Sequence, residues 1–381
     1  MSFPRRSKAR WAVPATAIVS IVGISSISHL VAADAQVPNL PPLTAAELLV
    51  KVSTAKVPPF SGTVVLTANL GLPDLGGFAG AVPGSLTDLL AGSHSATVAA
   101  DGASKIRVTM AGPNAESSWI RNGPDAWSWN STTQTASHAT IGPRSGPTTP
   151  DEDSGPSLMS PADEAAKLLA AVDPSTSVSV RTSAYVAGRA AYELVLSPKS
   201  ASSTVGDVIL AVDGATGTPL DVKITAKGSS KPALELGFSS VSFTPPAAST
   251  FAFTPPAGVT VKEVSSVSDL LPFSRQRHLR VADAPGTAPR TPSTPSSKRS
   301  STTTVGTGWD SVLIVKGAAI SPQIATVLGG GSSVPLPGGG SARLVSTALI
   351  NVLLVSDGRI AIGAVTPSAL VSALSIPPAA A

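Results

Sequence analysis

Hydrophobic residues along the chain follow two patterns, one with the spacing of a helix and one that alternates with polar residues. The first pattern begins at Leu48, Leu49 and Val52, which share one helical face after Thr44 and Glu47. That pair is typical of a capping box and predicts a helix starting there. From residue 61 onward, short alternating runs separated by Gly, Asn and Pro indicate strands joined by hairpins. The strands predicted for this first series cover residues 61–70, 93–100, 105–111, 116–121, 126–130 and 135–140.

The same order of one helix and several strands is predicted again further along the chain. Ser160-Pro161 followed by two acidic residues predicts a helix start, and Leu168 and Leu169 give this helix an apolar side. Two antiparallel meanders with two amphipathic helices predict an α+β fold, in which helices close the concave face of a curved sheet. The strands predicted for the second series cover residues 177–182, 185–196, 205–212, 219–226, 233–243 and 251–253.

The composition changes after residue 265 and predicts two further segments. Residues 266–306 are rich in Ser, Thr, Pro and basic residues, which indicates a disordered linker. Residues 307–375 predict a small C-terminal α/β unit of strand, hairpin and helix, which has a thin core, so we expect it to pack on the first domain. Its predicted parts are a strand at 312–315, a helical segment at 321–328, a Gly-rich loop at 329–340, a hairpin of 344–355 with 359–365, and a helix from Pro367.

The N-terminus has the features of an export signal. Residues 1–10 are basic, residues 12–33 carry no charged side chain, and Ala33-Asp34-Ala35 has the small-x-small form of a cleavage site. Residues 1–35 are therefore predicted to be a signal peptide or an uncleaved N-terminal membrane anchor, and both alternatives remain open. Either one predicts an extracytoplasmic protein, secreted or held at the cytoplasmic membrane by this single segment.

Composition excludes several classes of chemistry. The sequence has no Cys and four scattered His, which excludes disulfides, thiolate nucleophiles and Cys-based zinc sites. The net charge of +4 comes from the basic N-terminus and the linker, so no nucleic-acid surface is expected on the fold. The sequence lacks the nucleophile elbow, the P-loop and the dinucleotide-binding glycine pattern. We therefore predict no enzyme activity, no cofactor and no metal site.

Several segments together resemble the LolA/LppX/RseB superfamily of lipoprotein- and lipid-binding proteins, above all actinobacterial LolA-like outer-membrane lipoprotein carriers. The resemblance covers residues 36–265, although no single motif is diagnostic. It implies an unclosed, curved antiparallel half-barrel with helices as a lid over an apolar cavity. The segments that carry it are Asn122-Gly123, Trp127-Ser128-Trp129, residues 135–138, 186–189, 192–194, Val212-Asp213, Thr216-Gly217, Pro219-Leu220 and residues 251–256.

The resemblance implies an exported, non-catalytic carrier that binds acyl chains of lipids or lipoproteins. The two helices have the apolar faces that a lid requires, and two Trp residues spaced two apart on a strand share one face. Core packing is the alternative role for all of these side chains. The predicted lipid-binding residues are Leu48, Leu49, Val52, Trp127, Trp129, Leu168 and Leu169.

Two other functions remain open from the sequence. One is an RseB-like regulatory module, tethered at the membrane, that binds an envelope protein partner such as an anti-sigma factor. The other is a purely structural domain of the cell envelope, with a filled barrel interior.

Overall fold

A computed structural model describes residues 40–71, 91–112, 115–141, 175–270, 301–317, 330–337 and 339–375. Several predictions fall outside these ranges. They are the N-terminal segment 1–35, the second helix with Leu168 and Leu169, the helical segment 321–328 and most of the linker.

The first helix forms where the sequence predicts it. Helix α1 (Ala45–Thr54) begins with a complete capping box. The Thr44 hydroxyl accepts the Glu47 amide at 3.2 Å, and the Glu47 carboxylate accepts the Thr44 amide at 2.8 Å. These bonds satisfy two amide groups that have no partner inside a helix.

Twelve strands form one large sheet. The predicted strands of both series are found within a few residues of their expected ends. One exception is residues 251–253, where a single 3-10 turn (Ala248–Phe251) replaces the predicted strand. The strands are β1 (Phe60–Asn69), β2 (Ala91–Ala100), β3 (Lys105–Gly112), β4 (Ala115–Asn122), β5 (Asp125–Asn130), β6 (Thr135–Thr140), β7 (Thr176–Val186), β8 (Arg189–Pro198), β9 (Val205–Asp213), β10 (Pro219–Ala226), β11 (Pro232–Ser242) and β12 (Val261–Glu263).

The order of these strands leaves the sheet open. It runs β12-β6-β5-β4-β3-β2-β1-β11-β10-β9-β8-β7, so the two meanders join where β1 pairs with β11. All pairs are antiparallel except β12 with β6. The end strands β12 and β7 do not pair with each other. This is the unclosed, curved half-barrel of the predicted α+β fold.

A second sheet of six antiparallel strands follows, with helix α2 (Pro367–Leu374) packed on it. Thr366 caps α2, and Pro367 opens it as predicted. The strands, in the order β13-β14-β18-β17-β16-β15, are β13 (Ser301–Val305), β14 (Val312–Lys316), β15 (Ser332–Pro335), β16 (Ser341–Ser346), β17 (Asn351–Val355) and β18 (Arg359–Gly363).

Three sequence predictions for the second unit are corrected by this sheet. β13 lies inside the range 266–306 that composition assigned to a linker, because its Ser and Thr side chains form an exposed edge strand. β15 lies inside the predicted Gly-rich loop. The predicted strand 344–355 is two strands, β16 and β17, joined by a turn at residues 347–350.

Candidate functional site: the inner face of the large sheet

The large sheet has one apolar face, which we call the inner face because α1 packs on it. Side chains alternate between the two faces of a strand, so the pairing of neighbouring strands shows which residues share a face. Val98 lies opposite Val108, and Val108 lies opposite Trp119. All three belong to or pack against the cluster that contains Leu48 of α1. The inner face is therefore continuous across β2, β3 and β4.

Some side chains of the inner face are enclosed, while others keep exposed apolar surface. Leu194 and Leu210 are completely buried and hold the layers together. Side chains that are only half-buried are the ones that an apolar ligand can contact. On the inner face these are Val98, Ile106, Trp119, Val178, Val180, Ile224 and Leu236.

Helix α1 places the three residues predicted from its apolar pattern against this face. Leu48 is completely buried, Val52 is buried and Leu49 is half-buried. Val50, the next residue, points away and is 60% exposed. The segment before the helix is fixed as well, since the Tyr192 hydroxyl donates to the Pro41 carbonyl at 2.8 Å.

Trp127 and Trp129 lie on the opposite, outer face. Trp119 is on the inner face and pairs with Ser128, so the residues on either side of Ser128 point outward. Trp127 stacks on His138 with ring centroids 4.3 Å apart and lies 5.5 Å from the ring of Phe253. The structure therefore does not bring the two Trp residues together with Leu48, Leu49 and Val52.

The second unit contributes to the inner face through residues 347–350, which we call the plug loop. Leu349 is 5% exposed and belongs to the same cluster as Leu48, and Ala348 and Ile350 pack against that cluster. The Ala348 amide donates to the Leu70 carbonyl at 2.7 Å, at the end of β1. The inner face is thus covered in part by a loop that belongs to another sheet.

Polar contacts surround the plug loop and hold the two units together. The Trp309 indole N–H donates to the Thr176 hydroxyl at 2.8 Å. The Asp310 carboxylate accepts the hydroxyl groups of Ser200 and Ser202. The expectation that the second unit packs on the first is confirmed by these bonds.

A buried carboxyl lies on the outer face of β10. Asp221 is 4% exposed, and its Oδ1 atom has no hydrogen-bond partner among the described residues. A side chain at Gly237 would collide with that atom, since a Cβ there would lie 2.4 Å from it. Burial raises the pKa of Asp221 to about 6, although Lys223 at 3.0 Å acts in the opposite direction. Asp221 therefore gains a proton within a mildly acidic pH range.

A histidine clamp holds β12 at the edge of the sheet. His138 on β6 lies between Glu263 of β12, at 2.9 Å from Nδ1, and Asp125 of β5, at 3.0 Å from Nε2. Burial lowers the pKa of His138, but hydrogen bonds and charge interactions with the two carboxylates outweigh it, so the pKa is raised. Because protonation is favoured in the folded state, this stabilisation is present at low pH and lost as the pH rises through the folded-state pKa.

Replacing Glu263 with Gln is expected to lower the pKa of His138, because one of its two carboxylate partners loses its charge. The measurement is an NMR titration of the His138 imidazole signals. Asp101→Asn, which removes the charge from a surface pair with Lys105, is the control and should leave the pKa of His138 unchanged. An unchanged value in Glu263→Gln would contradict the position of β12 beside β6.

A shallow pocket of about 230 Å³ lies where the turn at Thr250 crosses β2 and β3. It is lined by Thr97, Val98, Ala99, Arg107 and Thr109, and the Arg107 guanidinium is already used, since it donates to the Thr250 carbonyl at 3.2 Å. Its volume is below the usual range of about 300–1,000 Å³ for small-molecule sites. The pocket is therefore not the candidate site.

Comparisons with known proteins give likenesses of fold. No protein-family model matches the chain, and a search of curated protein sequences gives no match either. Among solved structures, the Pseudomonas aeruginosa MucA/MucB complex is 16% identical over 88% of this chain and 99% of the matched chain, with a TM-score of 0.42. A conserved protein from Thermus thermophilus is 12% identical over 58% and 99%, with a TM-score of 0.31. A LolA superfamily protein from Nitrosomonas europaea is 12% identical over 56% and 99%, with a TM-score of 0.21.

The described residues build the unclosed half-barrel that the sequence resemblance implied, with a second sheet docked on it. The fold is LolA/RseB-like. In this LolA/RseB-like fold, sequence reasoning missed the plug loop. The pair Leu349-Ile350 was read as part of one long strand, and only the absence of polar alternation there hinted at a buried turn.

Proposed function

We propose that this protein is an exported, non-catalytic carrier that binds an acyl chain of a lipid or lipoprotein between the inner face and helix α1. The observation that supports this proposal best is the continuous apolar inner face, with half-buried side chains left between the enclosed ones. Leu49 of α1 borders this surface from the helix side. Trp127 and Trp129, on the outer face, are not part of the proposed site.

The chemistry of the inner face suits hydrocarbon. Burial of each methylene contributes about 0.8 kcal/mol, so one long acyl chain supplies on the order of 10 kcal/mol before the entropy of binding is subtracted. Such a ligand needs shape and apolar surface but no catalytic group. Within the described ranges, no group of three or more His, Asp or Glu is arranged to hold a metal ion.

Extracytoplasmic location is part of the proposal and depends on the N-terminal segment. No helix in the described parts of the chain is long and apolar enough to cross a bilayer. Residues 1–35 would direct export, either as a cleaved signal or as an anchor in the cytoplasmic membrane.

A second candidate function is an RseB-like regulatory module that binds an envelope protein. It is favoured by the plug loop, since a free carrier has no need for a second unit inserted into its ligand face. The two functions share the acyl-chain site and differ in the destination of the signal: the carrier transfers its ligand, whereas the regulator changes its affinity for a partner.

Replacing Leu49 with Asp is expected to weaken binding of a fluorescent fatty acid at least about tenfold, because a charge at an apolar contact costs more than 1 kcal/mol. Fluorescence titration of residues 36–381 with cis-parinaric acid measures this. Val50→Asp is the matched control: it adds the same charge one residue along the same helix, on the 60% exposed side. It should change affinity by less than about twofold.

Native mass spectrometry on protein purified gently from its host would identify the ligand. A bound acyl species that passes to acceptor membranes supports the carrier, and one that stays bound while changing affinity for an envelope protein supports the regulator. Failure of the wild type to bind the probe, together with ligand-free purified protein, would contradict acyl-chain binding altogether.

A further inference from the structure

We infer that the plug loop occupies part of the acyl-chain site, so that binding of an acyl chain displaces it and undocks the second unit. This inference rests on the proposed function and adds its regulation: the ligand and the second unit compete for one apolar surface.

The plug loop lies where a ligand would have to lie. Leu349 is 5% exposed although it belongs to a turn, and the side chains that bury it are those of the inner face. Ile350 from the same turn and Trp309 from a 3-10 turn (Gly308–Asp310) pack on the same cluster. The core of the second unit is a different cluster, built around Leu353 and Leu370. Leu349 therefore contributes to the first unit's interior and not to its own.

The loop can leave without unfolding. Its shape is fixed by Thr347, whose amide donates to the Ile350 carbonyl at 2.9 Å and whose hydroxyl accepts the Ile350 amide at 2.8 Å. These bonds lie inside the loop and do not depend on the first unit. A preformed turn of this kind can move in and out as a rigid body with the second sheet.

The bonds that would break on undocking are of a kind that water can replace. The Ala348 amide is bound to the Leu70 carbonyl, and the Leu349 carbonyl accepts the Thr204 hydroxyl. Ser200 and Ser202 bind Asp310 at the rim. Exchange of such bonds with water changes the free energy by only about 1 kcal/mol each. The apolar contacts of Leu349 are the part for which hydrocarbon is a direct substitute.

Competition of this kind makes affinity depend on how often the loop is out. When only a fraction of molecules is competent to bind, the apparent dissociation constant is the intrinsic constant divided by that fraction. Leu349→Ala shrinks the plug and raises the competent fraction. The affinity for cis-parinaric acid is therefore expected to rise about tenfold, which corresponds to about 1.4 kcal/mol.

The experiment combines this titration with a distance between the two units in the full exported chain, residues 36–381. Because the sequence has no Cys, spin labels can be placed at Ala103→Cys and Ser356→Cys, two exposed positions in hairpin turns of the two sheets. Pulsed electron resonance should give one distance without ligand and a second, longer population with saturating probe. Leu354→Ala is the control, since it makes the same truncation on the same hairpin at a half-buried residue outside the inner-face cluster. It should change neither readout.

The outcomes separate the two proposals. Tighter probe binding in Leu349→Ala with a ligand-dependent distance supports the inference, as does binding that appears only in that variant. Normal probe binding with an unchanged distance, or a Leu349→Ala variant that undocks without a change in affinity, overturns the inference and leaves acyl-chain binding intact. Absence of probe binding in both proteins overturns both.

Discussion

Replacing Asp213 with Ala is expected to lower the free energy of unfolding by about 3–5 kcal/mol, the usual cost of removing one partner from a buried ion pair. Asp213 is 1% exposed at the end of β9, and both of its oxygens accept from the Arg189 guanidinium. The amides of Ala215 and Thr216 and the Thr216 hydroxyl donate to Oδ1. The substitution leaves this turn without its acceptor and the Arg189 charge without its partner.

The pH dependence of stability gives a second readout for Asp213. Burial raises its pKa, but hydrogen bonds from Arg189 and Thr216 together with the Arg189 charge lower it further, so the net pKa lies below the usual value. A carboxyl with a lowered folded-state pKa stabilises the fold above its unfolded pKa, and this stabilisation disappears as the pH falls through the folded-state pKa. The wild type should therefore lose stability in strong acid more steeply than Asp213→Ala.

Chemical denaturation at several pH values measures both effects. Asp357→Ala is the matched control, because Asp357 also pairs with an Arg in a hairpin, Arg359, but is 51% exposed. Removing that pair should cost no more than about 1 kcal/mol. Equal losses in the two variants would contradict the buried role of Asp213.

Replacing Asp221 with Asn is expected to remove a loss of stability that the wild type shows between about pH 4 and pH 6. Burial raises the folded-state pKa of Asp221 to about 6 from a model-compound value of 3.8. A raised carboxyl pKa means that the folded state binds the proton more tightly, so the fold loses stability as pH rises through this window and stays weaker above it. The Asn side chain does not titrate there.

The size of this effect follows from the pKa difference. A shift of about two units corresponds to about 2–3 kcal/mol, so the variant should gain that much relative to the wild type between pH 4 and pH 8. Lys223 keeps Glu235, at 3.4 Å, as a partner in the variant. Glu235→Gln is the control, since its side chain is 38% exposed and its loss should give a much smaller pH-dependent difference. A flat difference between Asp221→Asn and wild type across this range would show that Asp221 is solvated.

Local patterns predicted most of the described secondary structure because the signals are local. The capping box of Thr44 and Glu47 fixed the start of α1, and alternation with Gly and Asn turns located the strands of both meanders. The predictions failed where local preference was weak. The Thr-rich segment of β13 forms a strand because β14 offers its edge, and composition contains no sign of that partner.

The sequence by itself determined the α+β class, the apolar face of α1 and the fact that Trp127 and Trp129 share one side of a strand. Only the tertiary structure decided which side that is. A period of two specifies that alternate residues face the same way, but the twist and pairing of neighbouring strands choose between inner and outer face. The same holds for Leu349, whose burial is produced by β1 and by Thr204, residues far away in the chain. Long-range packing, which no local window contains, places the plug loop on the candidate site.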